Sequence, residues 1–353
     1  MGKLSKSSSG KTSRRTFLQD TAKASVIYAS PSLFTFADQN GISKSYEGLK
    51  SSDYLAKVKI ETWIEEKEIF TEGPAMDNMG DIYFTNIPTR SILRWSPFDR
   101  EISRIKMSTD RANGLRFNRE GDLLVCEGGS GKVIKIDIKT EEKTILAEKY
   151  LDKKLQSPND LDFDLKGRIY FSSRSNNPDL NEYNARAVYR CDPDGKVHQL
   201  LTEPEIHMPN GIVVAPDDRT IYIIEAHPDK DRNRKILAFD LGEDGSISNK
   251  RTVIDFYPGR SGDGMCIDRE GNLYVAAGLH KRRNTSETLD TRPGIHVINP
   301  QGQLVAYRET PIDTITNCTF GGKDLRTLYI TCGAYLLKVR TKIPGKENYR
   351  PAQ

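Results

Sequence analysis

Six short segments each set an oxygen-bearing side chain at the head of an apolar run: Glu72-Gly73-Pro74, Asn113-Gly114-Leu115, Asn159-Asp160-Leu161, Asn210-Gly211-Ile212, Asp263-Gly264-Met265 and Asn317-Cys318-Thr319. The leading residues are two acids and four amides, all oxygen donors. Such a set suits one hard divalent cation, Ca2+ first, with Mg2+, Mn2+ or Zn2+ as alternatives, and it lacks the Cys and His content of structural zinc. A cation held this way can polarise an ester carbonyl and activate water. Asn-Gly and Asp-Gly are also ordinary turn dipeptides, so a single copy carries little weight. The argument rests on all six being in phase.

The phase is regular. Each leading residue is followed 11 or 12 positions later by a strand centre, at Tyr83, Leu124, Tyr170, Tyr222, Tyr274 and Tyr329, and successive copies are 41 to 54 residues apart. The fifth copy shows the grammar most clearly: 262–267, an Asp268-x-x-Gly271 tight turn, then the alternating run from Asn272 to Ala276. That pattern predicts two strands of an antiparallel hairpin. A repeat of this length made of short strands predicts the blades of an all-β, six-bladed β-propeller, whose inner strands surround one channel and bring equivalent residues to a central metal site.

The N-terminal stretch reads differently from the rest. Ser13-Arg14-Arg15-Thr16-Phe17-Leu18 resembles a twin-arginine export signal, followed by a weakly apolar segment over 22–37 that is interrupted by Lys23, Ser30 and Pro31. Residues 1–37 are therefore expected to be a signal peptide and the protein periplasmic or secreted, exported already folded; a retained amphipathic anchor is the alternative. No segment is long and apolar enough to predict a transmembrane span. The formal charge of +4 comes from this leader, whose six basic residues face only Asp20. The remaining chain is near neutral, which argues against a nucleic-acid partner.

Residues 38–56 are polar and read as a linker, leaving 57–353 as the propeller domain, monomeric or dimeric. The alternating run 58–64 precedes the first repeat and is expected to join the last blade, closing the ring and covering a sheet edge. Long polar stretches at 172–186, 226–235 and 280–293 are expected to be loops near the channel mouth, where function concentrates. The five cysteines contain no Cys-x-x-Cys pair and are expected to be free buried thiols, Cys318 and Cys332 being the pair to test for a disulfide. Of the dispersed histidines, His207 lies three residues before Asn210. No Gly-x-Ser-x-Gly elbow, His-Glu-x-x-His, P-loop or dinucleotide fingerprint is present.

With those repeats in hand, the chain resembles the family of gluconolactonases, senescence-marker protein (regucalcin) and luciferin-regenerating enzyme. The resemblance runs from about residue 60 to 339 and rests on Thr71-Glu72-Gly73-Pro74, Arg111-Ala112-Asn113-Gly114, Cys126-Glu127-Gly128-Gly129, Ser157-Pro158-Asn159-Asp160, Met208-Pro209-Asn210-Gly211, Gly262-Asp263-Gly264 and Thr316-Asn317-Cys318. It implies a metal site of Glu72, Asn210 and Asp263, with Asn159 completing the shell or holding substrate. The chain departs from the family's usual pattern at Ser172-Ser173-Arg174-Ser175-Asn176-Asn177.

The implied chemistry is opening of sugar or aldonic lactones by water activated at the cation. Asp263 is the candidate catalytic base; the alternative is that it is a ligand only. Asn113, Glu127, Asn159 and His207 are candidates for binding substrate, and Arg174 for meeting a carboxylate or sugar oxygen. Two other readings share the scaffold: a phosphotriester hydrolase, and a non-catalytic propeller that binds a glycan or protein around a structural ion.

Overall fold

Six four-stranded antiparallel sheets follow one another along the chain in this computed structural model, which describes residues 46–347 except 106, 177, 180 and 182. Their inner strands are Thr71–Met76, Ala112–Phe117, Pro158–Phe163, Pro209–Val214, Gly262–Ile267 and Ile315–Gly321, numbered here as blades I to VI. Each inner strand packs against those of its two neighbours, and the sixth packs against the first, so the ring closes.

The apolar alternation of the sequence explains where the core sits. Six buried clusters each join two adjacent blades: Leu115, Leu123 and Val125 of blade II meet Tyr83 and Ile92 of blade I, and Phe84 and Trp95 of blade I meet Tyr329 and Leu336 of blade VI. Burial fades outward, as expected for edges that must not pair with other chains. The inner strand of blade IV is buried throughout, whereas its outermost strand, Ile247–Asp255, is mostly exposed.

The Asp-x-x-Gly turns lie at the far end of the inner strands from the six leading residues. In blade V the Asp268 carboxylate accepts from Asn272 N (2.9 Å) and from the hydroxyl of Tyr274 (3.2 Å); in blade III Asp164 accepts from Arg168 N (3.0 Å) and Tyr170 (3.0 Å). In these two blades the tyrosine at the strand centre thus pins its own hairpin turn.

The expected closure is present. Lys59–Trp63 pairs antiparallel with Tyr335–Arg340 and completes blade VI as its outermost strand. The linker expectation for 38–56 needs correction from Tyr46 onward; the leader at 1–37 and residues 38–45 lie outside the described residues. Tyr46 and Leu55 are buried, and Leu55 bridges to Thr341. These two apolar side chains, spaced across a polar stretch, found pockets that its composition did not reveal.

All five cysteines are free and buried. The near pair is Cys266 and Cys318, with sulfurs 3.6 Å apart across blades V and VI, whereas Cys332 donates to the Ile312 carbonyl instead of facing Cys318.

Tyr46 carries a testable consequence. Its hydroxyl lies 2.7 Å from His296 Nε2 and accepts from Arg292 N, while His296 Nδ1 faces the Gly294 carbonyl at 3.3 Å. His296 is fully buried, and burial pushes its pKa down to about 4. The unfolded chain therefore binds this proton below about pH 6.5 while the folded one does not until about pH 4. This site's contribution is intact above pH 6.5 and is lost as the pH falls toward 4, by roughly 3 kcal/mol in all. Denaturant unfolding at pH 7 and pH 4.5 should show a steeper acid loss for the wild type than for His296→Gln; equal slopes would refute it.

Candidate functional site

All six inner strands break register where their leading residue stands: between Glu72 and Ala75, Ala112 and Leu115, Pro158 and Leu161, Pro209 and Ile212, Gly262 and Met265, and Ile315 and Asn317. Such irregularities re-aim a side chain out of the strand's alternation. Here they sit at the same end of every blade. Glycine after the leading residue lets neighbouring blades approach at that level: a Cβ on Gly73, whose φ is +47°, would lie 2.1 Å from the Asn113 carbonyl oxygen.

Glu72 and Asp263, from blades I and V, border one cleft of about 480 Å3 together with Asn113, Asn159 and Arg174. Asn210 reaches the group through Asp263, donating from Nδ2 to Oδ1 at 2.6 Å. Asn317 donates to Glu72 Oε2 (3.3 Å) and to Asp160 Oδ2 (3.2 Å). The hub therefore holds three buried carboxylates: Glu72, Asp160 and Asp263.

Their crowding has an electrostatic cost. Burial first, and then the charge of Asp263, hold the Glu72 carboxyl well above the usual range, with Asp160 adding to the effect and the Gly73 N–H opposing it. Burial raises Asp160 to about 6 against the opposing pull of Arg116. Like charges packed this closely favour a proton or a cation between them.

The donor set fits a hard cation in type. No group of three His, Cys, Asp or Glu side chains placed to hold a metal occurs among the described residues. A bound ion would therefore draw on the amide oxygens of Asn210 and Asn159 beside Glu72 and Asp263, a mixed carboxylate and carbonyl shell of the kind Ca2+ accepts. Asn210 presents its amide nitrogen to Asp263, and turning the amide over would present its oxygen.

Two side chains of this site were not singled out in the sequence. Arg260 forms an ion pair with Asp263 and donates to the carbonyl of Ile315 at 3.3 Å. It lies three residues ahead of Asp263 in an unremarkable loop. Asp160 carried a signal: it occupies the place that glycine fills in four of the six copies.

Two expected substrate contacts lie elsewhere. Glu127 does not border the cleft, because its carboxylate accepts from Asp110 N (3.2 Å) and Ser130 Oγ (2.8 Å), shaping the turn below it. His207 is also absent from the cleft wall, its backbone N–H donating to Glu225 at 2.9 Å.

A family model described as the SMP-30/gluconolactonase/LRE-like region matches residues 70–334, most of the chain. The chain belongs to this family. A gluconolactonase of Zymomonas mobilis is 28% identical over 306 residues, covering 78% of this chain and 80% of that protein. Human regucalcin is 26% identical over 283 residues, covering 79% and 88%. Among solved structures, a gluconolactonase of Xanthomonas campestris superposes with a TM-score of 0.66 at 25% identity, covering 80% of this chain and 89% of that one. A calcium-binding regucalcin of Agrobacterium tumefaciens gives 0.64 at 19% identity, covering 84% and 97%, a likeness of fold.

Proposed function

We infer that this family member is a lactone hydrolase that opens a sugar or aldonic lactone in the cleft at the channel mouth, with Glu72, Asn210, Asp263 and Asn159 holding one divalent cation, Ca2+ first. The observation that carries the reading is the meeting of Glu72 and Asp263 with Asn113 and Asn159, from four different blades, around a single polar cleft. The gluconolactonase relatives support the reaction class. When bound, the cation would polarise the lactone carbonyl and lower the pKa of the attacking water.

The chain's own residues do the rest. Arg260 forms an ion pair with one oxygen of Asp263, so its carboxylate is oriented before substrate arrives. It is the proton acceptor for water, a role typically worth about 10² to 10⁴ in rate. Asn113 and Asn159 offer amides to ring hydroxyls. The twin-arginine motif supports export of the folded protein, and nothing in the charge of the body suggests a nucleic-acid partner.

The test is a panel of aldonic and sugar lactones, with organophosphates alongside, assayed with Ca2+, Mg2+, Mn2+ and Zn2+. Chelation should abolish lactone opening reversibly. It should also lower the melting temperature, since a cation present at about 100 times its dissociation constant stabilises by roughly 2.7 kcal/mol. A chelated preparation that opens lactones at the full rate would overturn the metal-dependent mechanism. Turnover of organophosphates alone would replace the substrate class.

A further inference from the structure

Arg174 stands at the cleft wall with no carboxylate in ion-pairing distance among the described residues. Its backbone N–H is fixed to the Ser157 carbonyl at 2.9 Å, and among the described residues its guanidinium bonds through Nη2, to the Ala226 carbonyl at 3.3 Å. The Nε atom is buried without any hydrogen-bond partner. A guanidinium with a buried donor left unpaired is costly, and such groups ordinarily find an anion.

The acids nearby are already engaged. Asp263 is taken by Arg260 and Asn210, and Glu72 by the Gly73 N–H and Asn317. Arg111 borders the same cleft. Arg174 and Arg111 thus bring two positive charges to the wall of the cleft a ligand would occupy. A guanidinium on a cleft wall is the side chain best matched in charge and hydrogen bonding to a carboxylate.

We propose that the substrate bears a free carboxylate of its own, held by Arg174, so that the cleft selects lactones of sugar dicarboxylic acids over neutral aldonolactones. This rests on the lactone hydrolase reading. In the reaction, water's oxygen bonds to the acyl carbon, the ring C–O bond breaks, the ring oxygen leaves as an alcohol with one proton, and the new carboxyl group ionises to give a dianion. Ser175 and Asn176, which follow Arg174 along the cleft wall, offer groups to the hydroxyls beside that carboxylate.

The experiment compares an aldonolactone with the aldarolactone of the same ring size and configuration. The wild type should favour the acidic substrate in kcat/KM by on the order of 10- to 100-fold, the range for a hydrogen bond to a charged group. Arg174→Met should bring that ratio close to one, mainly through KM of the acidic substrate, and Arg174→Lys should restore part of it. If the wild type shows no preference, or if Arg174→Met lowers both substrates alike and keeps the ratio, Arg174 serves the ester common to both and the proposal fails. Calorimetry with the open-chain aldarate separates the two readings. Binding that Arg174→Met abolishes, in a protein that opens no lactone, would sustain the carboxylate site and sink the hydrolase.

Discussion

Asp263→Asn should lower lactone turnover by roughly 10³-fold while leaving a folded propeller. The substitution keeps the shape of the side chain and removes its charge. It takes away the proton acceptor, and it takes one of two carboxylates from the proposed cation site. It also removes the charge that, after burial, most raises the Glu72 carboxyl, which relieves strain at the hub. Against that gain stands Arg260, which loses its ion-pair partner but keeps the Ile315 carbonyl. The net effect on stability should therefore be small beside the effect on turnover. Two measurements decide it: lactone kinetics, and thermal melting with and without a chelator. The wild type should melt lower on chelation and Asp263→Asn should hardly respond. Turnover within tenfold of wild type would remove Asp263 from the chemistry, and full sensitivity to the chelator would remove it from the cation site.

The repeat was legible because a propeller writes its hub in phase. Glu72, Asn113, Asn159, Asn210 and Asp263 are each the second residue of an inner strand and Asn317 the third of its own, so a count of spacings was enough to predict a shared centre. The closing strand was legible for a related reason: Lys59–Trp63 alternates but has no partner in its own repeat. What stayed hidden depends on side chains that break no local pattern. Arg260 sits in a loop outside the repeat, and its bond to Asp263 is set by the ring's geometry. Tyr46 lies in a polar stretch, and only the fold shows that its hydroxyl meets His296 across 250 residues. Glu127 stood in a family-like motif, yet its carboxylate turned to Ser130 and the Asp110 amide. A motif gives the position of a residue along a strand. The direction of a side chain beyond the bulge is a matter of packing.

Gly264→Ala tests the packing of the hub directly and should be the most destabilising of the single-methyl changes considered. A Cβ there would lie 2.0 Å from Asn317 Cγ and 2.1 Å from its Oδ1. The backbone of Gly264 is not left-handed, so the effect isolates the clash from conformational strain. Asn317 cannot swing aside cheaply, because Oδ1 accepts from Cys318 N at 2.8 Å while Nδ2 serves both Glu72 and Asp160. Moving it adds the cost of buried carboxylates left short of a donor to the cost of overpacking, roughly 2–5 kcal/mol together. In a domain of this size that corresponds to a fall in melting temperature on the order of 10 °C. Gly128→Ala is the control: its Cβ would make ordinary contact, 3.4 Å from the Arg111 carbonyl, and should shift stability by less than about 0.5 kcal/mol. Asn317→Ala separates the two costs, since it removes the donor without the clash and should fall between the other variants. If Gly264→Ala melts with the control, blades V and VI do not meet at Asn317 as closely as the hub requires, and the convergence of Glu72 with Asp263 loses its structural support.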